Sequence, residues 1–78
     1  MTPEDRLRAA ERLLGDPLAM ALLAEIEEGA VEAMLIAPDD GARRECRDTV
    51  LTIRRLLDGL RNVIAAHREA ARDRSGYA

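Results

Sequence analysis

From Cys46 to Ala71 the apolar or weakly polar side chains fall at Cys46, Val50, Ile53, Leu57, Leu60, Ile64, His67 and Ala71, in alternating steps of four and three. A strand puts every second residue on one face, so this rhythm excludes a strand and demands a helix with one packing face. In heptad terms Val50, Leu57, Ile64 and Ala71 take position a, and Cys46, Ile53, Leu60 and His67 take position d. Val50, Ile53, Leu57, Leu60 and Ile64 are the expected packing or oligomer seam. Thr49, Leu56, Val63 and Ala70 recur at g and widen the stripe beyond a two-stranded coiled coil, which predicts burial against more than one neighbour. Arg47, Arg54, Arg61 and Arg68 all fall at e, in a line beside the seam.

The remaining sequence supplies two shorter helices. Thr2 is a good N-cap, Pro3 suits the first helical position, and Glu4 and Asp5 suit the positive end of a helix. This predicts a helix over 3–14. Gly15-Asp16-Pro17 interrupts it, with Gly15 read as a left-handed C-terminal cap and Asp16 as the next N-cap. A second helix is expected over 17–36. Ala37-Pro38-Asp39-Asp40-Gly41 is the clearest turn, with Asp39 or Asp40 capping a third helix over 42–73. Residues 75–78 read as a frayed tail.

At 1.5 Å per residue the third helix is about 48 Å long, and the first two placed end to end match it. The expected fold is all-α: one domain over 1–78, a long antiparallel helical hairpin with a kinked first arm. A compact three-helix bundle is the alternative. A chain of 78 residues buries only roughly 60% of its unfolded surface, and small domains without disulfides or metals often oligomerise. Cys46 is the single cysteine, so the chain can form no disulfide within itself. The longest uncharged apolar run, Leu18 to Ala24, is far below the ~20 residues of a membrane span. The acidic start, Met1-Thr2-Pro3-Glu4-Asp5, does not read as a signal peptide. A soluble, cytoplasmic protein is expected.

The net charge of −3 hides an asymmetry, because residues 1–41 hold three Arg and ten acids whereas 42–78 hold nine Arg and five acids. The two halves can neutralise each other, with Glu25, Glu28 and Glu32 as mates for the arginine line. The other reading makes Arg47, Arg54, Arg61 and Arg68 contacts for nucleic acid or an acidic partner. A net acidic chain with Tyr77 as its one aromatic lacks the basic surface and stacking platforms common in nucleic-acid binders, so that reading is not favoured. The second helix is apolar on two sides: Leu22, Leu23, Ile26, Ala30, Ala33 and Met34 on one, Met20, Val31 and Leu35 on the other, with Glu27 between. One hairpin partner cannot cover both. Met20, Glu25, Glu28, Val31, Glu32 and Leu35 are therefore the candidate partner surface.

No catalytic, cofactor or metal site is expected, and no small-molecule ligand. His67 stands alone on the seam. Cys46 at d reads as a small packed residue. Asp39 and Asp40 read as turn and cap residues, and the Glu row lacks the Glu-x-x-His partner of bundle di-metal sites. The chain is expected not to be an enzyme.

Leu13-Leu14-Gly15-Asp16-Pro17-Leu18, then an acidic apolar helix with Ile26-Glu27 and Ala30, then Pro38-Asp39-Asp40, Arg43-Arg44 and a long Leu/Arg helix form a recognisable order. Over residues 7–68 it resembles small α-helical proteins encoded by tailed phages and prophages, often near virion-assembly genes. The resemblance implies a phage-related, non-enzymatic role. Together with the surplus apolar surface and the paired charge rows it leads to the expectation of a phage or prophage accessory protein that self-associates as a homo-oligomer and binds another protein in particle assembly, in the host cytoplasm or with the virion. The alternatives are a small-terminase-like or other nucleic-acid accessory protein, and an anti-defence inhibitor whose acidic face occupies a host nucleic-acid channel.

Overall fold

The computed structural model of the chain describes residues 1–75, which form three α-helices and no strand: α1 Pro3–Leu14, α2 Pro17–Leu35 and α3 Asp40–Ser75. Each start has a local cause. At α1 the Thr2 hydroxyl accepts from the Asp5 N–H at 3.1 Å, and the Asp5 carboxylate accepts in return from the Thr2 N–H at 3.4 Å. This reciprocal box satisfies two donors that the first turn leaves open. At α2 the Asp16 Oδ1 accepts from the N–H groups of Leu18 and Ala19 at 2.9 and 3.1 Å. At α3 the Asp39 Oδ1 accepts from the Ala42 N–H at 2.8 Å. Asp39 is thus the cap, and Asp40 is already the first helical residue.

The helix ends refine the sequence reading. Gly15 is right-handed, at φ −87° and ψ −1°, and not the left-handed cap expected of it. Its N–H still donates to the Glu11 carbonyl at 2.9 Å. The break comes from Asp16, extended at φ −87° and ψ 107°, and from Pro17, which has no N–H to continue the ladder. α2 stops at Leu35, with Ile36 as its C-cap at φ −110° and ψ 9°. α3 is longer than expected because Asp39 starts it early and Ser75 still belongs to it. The rest of the expected tail, Gly76 to Ala78, lies outside the described residues.

α1 and α2 each pack on α3 and touch one another far less. Met34 near the end of α2 shares a concavity with Asp40, Arg43, Arg44 and Arg47 at the start of α3. Glu27 reaches Arg54 further along. Pro3, Glu4 and Arg6 of α1 share a groove with α3 residues from Gly59 to Arg74. The first two helices therefore occupy successive stretches of the third, in reverse order. The result is 61 × 24 × 20 Å, with a radius of gyration of 17.1 Å. A compact domain of 78 residues would have a radius of roughly 11.5 Å.

A chain drawn out this way has little interior. Among the described residues Ala10, Val50 and Ile53 are the buried apolar ones, at 2, 7 and 6% exposure. Along α3, Cys46, Leu57, Leu60, Ile64 and His67 are half-buried. α1 contributes Leu7, Ala10, Leu13 and Leu14, and α2 contributes Met20, Leu23, Glu27, Ala30 and Met34. The core is one layer of side chains along a single line of contact.

Candidate interaction surface

The α2 residues turned towards α3 are spaced 20, 23, 27, 30, 34, a second three–four rhythm that runs straight through Glu27. Glu27 is thus a member of the packing stripe. Its Oε1 accepts from the Arg54 Nε at 2.9 Å, with the Glu27 side chain 28% and the Arg54 side chain 65% exposed. The carboxylate sits at the edge of the seam, and the guanidinium reaches over from the flank. The pair ties α2 and α3 in one register, because a slip of either helix would leave Glu27 against apolar neighbours without a donor.

The other residues of the two charge rows behave differently. Glu25, Glu28 and Glu32 are exposed, and with about 100° of rotation per residue Glu25 lies opposite the α3-facing stripe while Glu28 and Glu32 turn towards its Val31 flank. They are not the mates of the arginine line. Arg61 pairs within its own helix, with Asp58 at 3.6 Å. Arg47 and Arg68 form no ion pair among the described residues. Of the candidate partner surface, Met20 is half-buried towards α3, whereas Val31 and Leu35 are exposed. Glu28, Val31 and Glu32 share a shallow concavity with Glu27 and Arg54. The Val31 flank of α2 therefore adjoins the arginine flank of α3.

The opposite flank is apolar. Leu18, Leu22 and Ile26 recur every four residues and are 67, 48 and 52% exposed. Ala33 and Ile36 continue their line and are also exposed. On this side α3 presents Thr49, Thr52 and Leu56, all exposed. Both threonine hydroxyls are spent on their own helix, donating to the Glu45 carbonyl at 3.2 Å and the Asp48 carbonyl at 2.8 Å. Further along, the same flank of α3 opens into a groove of about 650 Å³ against the start of α1. Gly59, Val63, Ala66 and Ala70 line it along α3 together with the half-buried His67, and Glu4, Arg6 and Arg74 add charged side chains to its walls. The g positions, expected to be covered, are thus bare at Leu56 and Ala70 and half-covered at Val63.

Two features were missed in the sequence. Glu27 was set between two apolar faces, although its spacing placed it inside one stripe. The groove was signalled by four small or short side chains in steps of four, three and four, but only the approach of α1 makes it concave. The residues weighed for chemistry lie apart. Cys46 and His67 are half-buried at different levels of α3, and Asp39 is engaged as a cap. Among the described residues no group of three His, Cys, Asp or Glu side chains is placed to hold a metal ion. No helix among them is long and apolar enough to cross a membrane.

The described residues form an all-α fold of three helices with one bare apolar flank and one flank of opposite charges. No protein-family model matches it, no curated protein matches it, and no solved structure matches it.

Proposed function

We propose that this chain is a non-enzymatic helical interaction protein, an open antiparallel hairpin with a kinked first arm that self-associates and presents its remaining surface to another protein. The observation that carries this reading is surface area. The chain exposes 6201 Å². A compact monomer of 8.6 kDa exposes roughly 4,700 Å². The excess is about 1,500 Å² per chain, and obligate homodimers bury about 2,000–5,000 Å² over both subunits. The surplus is thus of the size that a second subunit covers. It includes large apolar side chains on α2, and three buried residues among those described make a thin core for an independent monomer.

The setting, a phage or prophage accessory protein acting in particle assembly in the host cytoplasm, is supported by the resemblance over residues 7–68. A nucleic-acid role draws on Arg47 and Arg68, but Arg54 and Arg61 already hold Glu27 and Asp58. That leaves a broken ridge for phosphate. Sedimentation velocity and light scattering across the micromolar range test the reading. A discrete oligomer is expected, and a strict monomer throughout would refute self-association.

A further inference from the structure

The bare flank has two unlike ends. At the α2 end Leu18, Leu22 and Ile26 form an exposed line of large apolar side chains. At the α1 end the flank sinks into the groove floored by Gly59, Val63, Ala66 and Ala70. Both lie on the same side of α3, the leucine–isoleucine line beside its middle and the groove from Gly59 onward. The Glu27–Arg54 contact sets the register, placing Leu22 beside the level of Gly59 and Leu18 beside that of Val63 on the same chain.

A two-fold axis perpendicular to α3, passing near the level of Asn62, exchanges these ends. It carries Leu22 of one copy to the level of Ala66 of the other, and Ile26 to the level of Ala70. A two-fold interface uses the same patch on both subunits, so a surface with a ridge at one end and a matching hollow at the other satisfies it twice. Small floor residues let a second helix approach closely, and nothing lies within 4 Å of where a Gly59 Cβ would be.

Charge agrees with shape. Glu25 borders the Leu18–Leu22 line, one residue from Ile26, and is exposed. Arg6 and Arg74 line the groove, against one acid there, Glu4. The Arg74 Nε contact to the Ala70 carbonyl, at 3.4 Å, is long enough to yield to a carboxylate. Docked in this way, the acidic arm of each copy meets the basic end of the other. The parallel arrangement would keep every residue at its own level, holding Leu22 and Leu18 at Gly59 and Val63 of the other copy and leaving the Ala66 and Ala70 end of each groove without a partner.

We propose that the occupant of the groove is a second copy of this chain, bound antiparallel, with Leu18, Leu22 and Ile26 of each copy seated on Gly59, Val63, Ala66 and Ala70 of the other. This deepens the self-association reading and rests on it. The Val31–Leu35 flank with Glu28 and Glu32 then stays on the outside of the dimer, where a different protein can reach it.

The test uses single cysteines in full-length chains carrying Cys46→Ser, with one set bearing Leu22→Cys and the other Ala66→Cys. A short bis-maleimide should join the two when they are mixed and neither alone, and a Leu35→Cys chain should remain unjoined in every pairing. Ile26→Asp, at a side chain already half out in solvent, should keep its helicity and weaken the dimer by roughly thirty-fold or more. A dimer in which Leu22→Cys joins to itself, or Leu35→Cys joins to any partner, would overturn the docking mode and leave self-association standing. A dimer unaffected by Ile26→Asp would do the same. A parent chain that sediments as a monomer throughout the micromolar range would remove both.

Discussion

Replacing Ile53 by alanine tests the seam at its most buried point. Ile53 is 6% exposed, and Leu51, two residues earlier on the same helix, is 37% exposed. Truncating a buried isoleucine to alanine costs about 2–5 kcal/mol, set by how far the site can close over the space left. Here the core is one layer deep, and Leu57 and Leu60 nearby are half-exposed and free to shift. The lower part of the range, about 2–3 kcal/mol, is therefore expected. Against a total of roughly 4–12 kcal/mol for 78 residues, at about 0.05–0.15 per residue, that is a large fraction. With a urea slope of about 1 kcal/mol per molar for a chain this small, the midpoint should fall by roughly 2–3 M. Leu51→Ala should change it by no more than about 0.5 M, because its side chain loses little burial and alanine is at least as good a helix former. Far-UV circular dichroism against urea reads both variants. Protein concentration must be fixed, since association of the folded chain adds concentration-dependent stability. Equal shifts for Ile53→Ala and Leu51→Ala would refute the assignment of the packing face.

Three further perturbations follow from local geometry. Asp39→Ala removes the acceptor of the Ala42 N–H at 2.8 Å and should cost about 1 kcal/mol in thermal or urea unfolding. Asp40→Ala, which loses only an exposed contact to Arg43 at 3.3 Å, should cost clearly less. In a double-mutant cycle of Glu27→Gln and Arg54→Ala the coupling should be about 0.2–1 kcal/mol at low salt, because Arg54 is mostly exposed, and should shrink in molar salt. A coupling indistinguishable from zero at low salt would mean the pair does not hold the register. Gly29→Ala places a Cβ where nothing lies within 4 Å, so it should raise the unfolding midpoint by the equivalent of about 0.5–1 kcal/mol, and a lowered midpoint would count against an unhindered helix there.

Much of the secondary structure was legible because its causes are local. Thr2, Asp16 and Asp39 are each the kind of residue that offers a side-chain oxygen to a first helical turn, and each does so. The spacing of Val50, Ile53, Leu57, Leu60 and Ile64 identified one face of α3, and these are among its buried and half-buried residues. Gly15 was misread because a glycine before Asp-Pro looks like a left-handed cap. The Asp16–Pro17 pair ends the helix by itself and asks nothing unusual of the glycine. Misassigning Glu27 had a different origin. Hydrophobicity alone expels a glutamate from a packing stripe, whereas its rhythm with Leu23, Ala30 and Met34 keeps it in, and only Arg54 across the seam shows which consideration prevails.

The bare apolar flank is where the two levels of description separate. The sequence by itself determined that there are three helices, where the first two begin, which face of α3 is apolar, and that α2 carries more apolar surface than one neighbour covers. These follow from caps, turn residues and periodicity, which act over a few residues. Only the tertiary structure decided that Glu27 holds Arg54, that Glu25, Glu28 and Glu32 stay exposed without an ion pair to α3, and that Leu18, Leu22 and Ile26 are left in the open beside a groove made with α1. A helix of 3.6 residues per turn offers several nearly equivalent faces when apolar residues surround it. The choice among them is made by the register of residues far apart in the chain, and no short-range pattern records it.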